Sequence, residues 1–189
     1  MANSLAELHK GLHPHVLQAH VRWVQFLTLF TASDERMAFI SKRAPWFFRL
    51  VQDTFRDDAF ISLSRLTDKS QSAGQANLTL FSLVEAADQS GLSTLASSTR
   101  AILDELIVRV ASIRIWRNKW LAHIDLGAAL ASKPLETARV QRGDIDEAFR
   151  LTREIMALFA IHLRQPRYAY ESVVVVGDAH DLLRALGAP

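Results

Sequence analysis

Residues 93–123, STLASSTRAILDELIVRVASIRIWRNKWLAH, contain neither proline nor glycine, and their apolar positions recur every three or four residues, the period of an α-helix. The stretch reads as one long helix. At about 100° per residue, Leu106, Val110, Ile113, Trp120 and Ile124 form a single apolar stripe, and Arg117 falls in its middle. A guanidinium is always charged and costly to bury alone. Two readings follow: Arg117 meets a carboxylate, a partner chain or an anionic ligand, or this end of the helix leaves the core and Arg117 is solvated. His123 is six residues further on, about 120° around an ideal helix, so the two side chains do not simply face each other. Asn118 and Asp125 are seven apart and share a side. Taken alone, His123 also reads as a C-terminal histidine favoured by the helix dipole.

Working outward, the rest of the chain is helical in the same sense. A first helix is expected from about Pro14 to Thr31, with Leu17, Val21, Val24 and Thr28 on one side and proline in its first turn. Ser33 resembles an N-cap ahead of Asp34 and Glu35. From Pro45 to about Asp68, Phe48, Val51, Phe55, Ala59, Ser62 and Leu66 keep helical spacing. The polar stretch 69–77 reads as an exposed loop. A short helix from Leu80 to Gln89 stops at Gly91. After a loop from Gly127 to Gly143, Asp144 and Glu147 resemble a capping box opening a helix that carries Ile145, Phe149, Thr152, Ile155, Phe159 and His162 and ends by Pro166. Ser172 to Val176 alone has clear β preference, and Asp178 is placed to cap a final short helix.

The 189 residues fit one domain with a core that needs no covalent staple. Apolar residues make up 49% and charged residues 22%, a globular balance that argues against disorder or a fibrous repeat. Without cysteine, disulfides, thiolate metal sites and cysteine nucleophiles are excluded. A net charge of +2, from 22 basic and 20 acidic residues, is too even to draw nucleic acid through the overall field; an RNA partner needs a local cluster. The start lacks the charged-then-apolar order of a secretory signal, and no apolar run approaches the roughly 20 residues that span a bilayer. A cytoplasmic protein with no membrane span is expected.

Two other features attract attention. His9, His13, His15 and His20 lie within twelve residues, and His9 and His13 have the i,i+4 spacing of a ligand pair. Gly11 and Pro14 interrupt a helix there and no acidic or cysteine ligand accompanies them, so a solvated N-terminus is the expectation. Trp23, Trp46, Trp116 and Trp120 read as core or interface residues before base-stacking platforms.

The segment RNKWLAHID, residues 117–125, resembles the R-(N/D)-K-x-x-A-H-x-D version of the motif that marks HEPN domains, in their AbiU-type abortive-infection branch. The block Asp57-Asp58-Ala-Phe-Ile-Ser-Leu-Ser-Arg65-Leu66-Thr67-Asp68 resembles the same branch, as does Asn77-Leu-Thr-Leu after the polar loop. Together the blocks cover residues 35 to 165, in the family's order. The resemblance implies an all-α, up-and-down HEPN-like helical bundle with additional short helices, forming a homodimer whose motif helices line a shared cleft. Many members are metal-independent endoribonucleases, often toxins or antiphage effectors held by an antitoxin protein; others are non-catalytic interaction modules. No metal or other cofactor is implied.

Carried onto this chain, the resemblance makes Arg117 and His123 the catalytic pair. His123, with an ordinary pKa of about 6.5, exchanges a proton with a ribose 2′-hydroxyl or the leaving oxygen, and Arg117 holds the scissile phosphate of an RNA substrate. Asn118 supports the phosphate or orients a neighbour. Asp125 either orients His123 or only terminates the helix. Asp58 and Arg65, seven apart on one helix side, either ion-pair near the site or form a solvated surface pair of little energy. Some members carry a tyrosine two residues after the histidine that a partner enzyme modifies; here that position is Asp125. Five residues separate Arg117 from His123 where four are commoner, which alters the angle between them.

Overall fold

A computed structural model of the chain describes residues 4–118 and 140–188. Among them run eight α-helices: α1 (Leu5–Phe30), α2 (Asp34–Arg43), α3 (Pro45–Leu66), α4 (Leu80–Gln89), α5 (Ser93–Arg109), α6 (Ala111–Trp116), α7 (Arg142–His162) and α8 (Ala179–Ala185). The protein is an all-α helical bundle, and the described strands are a pair of two-residue pieces, Gln71–Ser72 against Gln75–Ala76, closing the exposed loop. That turn places Ala73 and Gly74 at positive φ. The chain forms two compact units, one made of Met1–Val16 and Phe60–Tyr168, the other of Leu17–Ala59 and Ala169–Pro189.

In the first unit α5 packs against both α4 and α7. The turn from α4 to α5 is tight, with Gly91 at φ +75°, a value that favours glycine. Arg109, the last residue of α5, meets Asp144 in the first turn of α7 at 3.3 Å, so these two helices run antiparallel. Leu103, Leu106, Val110 and Ile113 are buried, as are Phe149, Ile155 and Phe159 of α7. The long helix expected from Ser93 is divided: Val110, with ψ 0°, ends α5 and α6 begins beyond it. The apolar stripe survives the division, because Leu106, Val110 and Ile113 are all fully buried.

The N-terminal histidines overturn the expectation of a solvated terminus. Helix α1 begins at Leu5 and passes through both Gly11 and Pro14. Gly11 is a close approach and no break, since a Cβ there would lie 3.0 Å from Leu78 Cδ2. His9 is buried; its Nδ1 lies 2.9 Å from Gln165 Oε1 and its Nε2 lies 3.1 Å from the Met156 carbonyl. The carbonyl only accepts, so Nε2 donates to it. The His13 ring sits 3.9 Å from that of Tyr168. From His9 to Trp23 the buried positions of α1 are His9, Leu12, Val16, Ala19, His20 and Trp23, a stripe one residue away from the expected one, because His9 and His20 occupy inward positions.

The second unit gathers Leu29, Phe30, Ile40, Phe48, Ala179 and Leu183 into one cluster. Ser33 caps α2 by accepting from Arg36 N, as its place ahead of two acidic residues predicts. Asp178 caps α8 in the same way, accepting from His180 N and Asp181 N. The Ala179 amide also donates to Gln25 Oε1 at 2.6 Å. Residues 172–176 form no strand; Tyr170–Ser172 is a 3-10 turn and Val174 and Val176 are exposed. Among the described residues no neighbouring strand is there to supply hydrogen bonds. Asp144 does not cap α7 either: the N-cap position is Gln141, without a side-chain bond, and the Asp144 carboxylate goes to Arg109.

Two measurements check this description. Thr79 and Ser82 form a reciprocal capping box at the start of α4, so Thr79→Ala lowers unfolding stability by about 1 kcal/mol, read from the denaturant midpoint. Burial, and then the charge of His9, hold the His13 imidazole below its ordinary value of 6.5. The folded chain therefore binds fewer protons than the unfolded chain once pH drops below that value. The associated stability is complete above pH about 6.5 and is lost as pH falls toward the lowered folded pKa. The thermal midpoint falls on acidification, and His13→Gln removes part of that fall.

Candidate functional site

Helix α3 ends with carbonyls that have no partner within the helix, as every helix does. Its last turn is buried: Ser64 and Thr67 are inaccessible to solvent, so water does not satisfy these groups. Thr67 Oγ1 donates back to the Leu63 carbonyl at 2.7 Å. The Asp68 amide donates to the Arg65 carbonyl at 3.3 Å, and Arg114 of α6 adds further donors. Its Nη2 donates to the Ser64 carbonyl at 3.2 Å, to Thr67 Oγ1 at 2.7 Å and to the Thr67 carbonyl. Two hydrogens serve three acceptors, so the bonds are shared. Its Nη1 reaches Asp68 Oδ1 at 2.8 Å. A cation at a helix C-terminus also meets the negative end of the dipole. Trp116 seats α6 alongside, its ring edge-on to Phe60 at 6.3 Å.

Arg117 lies one turn after Arg114, on the same side of the chain. Its Nη1 is 3.5 Å from Asp68 Oδ2, the oxygen that Arg114 leaves over. Its Nε and Nη2 both donate to Asn118 Oδ1, at 3.1 and 3.0 Å. The guanidinium is therefore held on two sides, by the amide of its neighbour and by a carboxylate from the end of α3. The backbone widens here, with a π-helical turn at Arg117 and Asn118; such turns recur at functional sites. Arg114 and Arg117 are each one-quarter exposed, close enough to water for an anion to reach them. Two guanidiniums share one carboxylate, which leaves a net positive charge.

Of the residues singled out in the sequence, Arg117 and Asn118 are in direct contact. Arg65 lies near the end of α3 with its side chain exposed. Asp58 falls in the other unit, where it accepts from Arg22 at 2.7 Å. His123 and Asp125 lie outside the described residues, as does Trp120. Trp23 is buried and Trp116 is packed on Phe60, whereas Trp46 is 86% exposed and lies outside the core. Among the described residues no group of histidines and carboxylates is arranged to hold a metal, and no helix is long and apolar enough to cross a membrane.

Asp68 and Arg114 are the two participants that sequence reasoning did not assign. A signal for each was present. Asp68 closes the 57–68 block, and Arg114 stands three residues before Arg117, the interval that brings side chains together on a helix.

Arg114→Ala strands the carbonyls at the end of α3 together with Asp68. Hydrogen bonds to charged groups contribute about 1.5–3 kcal/mol each, and part of the loss is recovered by water. The expected destabilisation is about 2 kcal/mol, seen as a lower urea midpoint. Arg114→Lys restores less than half of it, because an ammonium lacks the planar fork that reaches both the carboxylate and the carbonyls.

No curated protein and no solved structure matches the chain significantly. The family HEPN_AbiU2, described as AbiU2, matches it over residues 2–182. With nearly its whole length matched and the helical bundle in place, the chain belongs to the HEPN AbiU2 family.

Proposed function

We propose that this protein is an endoribonuclease of the abortive-infection kind, acting without a metal and using Arg117 and His123 in a cleft between two copies of the chain. The observation that carries the reading is the anchored guanidinium: Arg117 is fixed by Asn118 and Asp68 while only partly covered. A side chain held in this way binds a phosphodiester and stabilises the charge that develops on it. In the proposed reaction a ribose 2′-oxygen attacks the adjacent phosphorus and the bond to the 5′-oxygen breaks. A 2′,3′-cyclic phosphate and a 5′-hydroxyl result. Neutral His123 takes the 2′-hydroxyl proton, or its imidazolium form gives one to the departing oxygen.

The pairing of two chains rests on the family and on the surface around the motif. Val108 is 72% and Ile115 43% exposed on α5 and α6, apolar side chains that a second copy would cover. An antitoxin protein is the further partner in this reading, and the setting is the cytoplasm. A second reading, a non-catalytic interaction module, is favoured by the even charge balance of 22 basic to 20 acidic residues, which offers RNA little long-range attraction.

The test incubates purified protein with mixed RNAs in excess chelator. Cleavage is expected, falling by about 10²–10⁴-fold in His123→Ala and about 10²–10³-fold in Arg117→Ala. Wild-type protein that leaves RNA intact, or variants that cut equally well, would sink the nuclease. Loss of partner binding in the same variants, with RNA intact throughout, would establish the interaction module.

A further inference from the structure

Arg117 carries five N–H donors in a rigid planar fork. Among the described residues three are engaged: Nε and one hydrogen of Nη2 by Asn118 Oδ1, and one hydrogen of Nη1 by Asp68. One N–H therefore remains on each terminal nitrogen. Each of these N–H groups is able to donate to an oxygen of a phosphodiester. Asn118 occupies the Nε edge of the fork, so among the described residues the remaining donors are those of the terminal nitrogens.

The two contacts of Asp68 are unequal. Its Oδ1 lies 2.8 Å from Arg114 and its Oδ2 lies 3.5 Å from Arg117. Arg114 in turn is fixed to the end of α3 through Ser64 and Thr67. The carboxylate is thus tied firmly on one side and loosely on the other. Arg114 anchors it, and Arg117 is guided by it. A tight bidentate pair between Asp68 and Arg117 would occupy the face a phosphate needs; the longer contact steers the guanidinium and leaves that face available. The same carboxylate separates two like charges that would otherwise push Arg117 away from Arg114.

We infer that Asp68, held in place by Arg114, is a positioning residue that turns the free N–H pair of Arg117 toward an incoming phosphodiester. The role assigned to that phosphodiester rests on the proposed nuclease reading; the fixing of Arg117 does not. Asp68 touches no reacting atom in this scheme and acts through Arg117 alone.

Asp68→Asn is the informative variant, because it keeps an oxygen for Arg114 and removes the charge that guides Arg117. Full-length protein labelled with nitrogen-15 at arginine gives the first readout, with the Arg117 signals assigned through Arg117→Lys. In wild type the terminal nitrogens of Arg117 give separate, slowly exchanging signals at low temperature. In Asp68→Asn they collapse to an average, while the urea midpoint stays close to wild type. The second readout is steady-state cleavage of a single-stranded RNA: kcat falls by about 10- to 100-fold, since small misplacements of a binding group carry penalties of that order, and KM changes little. A purely structural Asp68 would instead move the unfolding midpoint and leave kcat alone. Unchanged Arg117 signals in Asp68→Asn overturn the inference, as does an unchanged kcat in an enzyme that cleaves. Wild-type protein that cuts no RNA defeats the nuclease reading alone, and the nitrogen signals then decide whether Asp68 fixes Arg117.

Discussion

Arg114 at the end of α3 is the interaction on which the candidate site depends. A helix terminus buried away from water leaves carbonyls that must find donors. The donor here is a guanidinium from another helix, which reaches Ser64, Thr67 and Asp68 together. One side chain thereby ends α3, seats α6 and fixes the carboxylate beside Arg117. No shorter cation does all three, because only the planar fork spans a carboxylate and a set of carbonyls at once. The apolar contact of Trp116 with Phe60 sets the spacing between the two segments, and the polar contacts set their register.

The division of the long motif helix belongs to the same design. Val110 ends α5 with its stripe neighbours still buried, so α6 takes its course from its own contacts with α3 and not from the axis of α5. The π-helical turn at Arg117 and Asn118 then changes the angle per residue just where the motif begins. Arithmetic at 100° per residue therefore applies within α5 and within α6 and gives way at Val110 and again at Arg117. The 120° read from the sequence between Arg117 and His123 is the value for an ideal helix; His123 lies outside the described residues.

Much of the fold was legible because its signals are local. Ser33 and Asp178 act as N-caps, Gly91 takes the positive φ of a helix stop, and the stripe from Phe48 to Leu66 faces inward. These depend on neighbours within a turn. What escaped reading depends on partners far along the chain. Gly11 and Pro14 look like helix breakers until Leu78 explains the glycine, and His9 looks solvated until Gln165 and Met156 receive it. Asp144 has the spacing of a capping residue, yet Arg109 claims its carboxylate. At the site, the misplaced charge of Arg117 was evident from the apolar stripe, but which carboxylate answers it was not, since Asp68 lies 49 positions away.

Charge makes the same point on a larger scale. The whole chain is nearly neutral, with a formal charge of +2, and several of its arginines meet nearby carboxylates, as Arg150 meets Glu147 and Glu154. Arg114 and Arg117 divide Asp68 between them, whereas Arg49 and Arg56, which share Asp53, have Asp57 as well. Paired arginines of the first kind are neutral at the distance of an approaching polyanion, beyond a Debye length of about 8 Å. The excess charge is felt only at close range, where the unspent N–H groups of Arg117 also come within reach. In the proposed reading, a site built in this way selects a phosphate by contact rather than by long-range attraction, which a chain with almost no net charge permits.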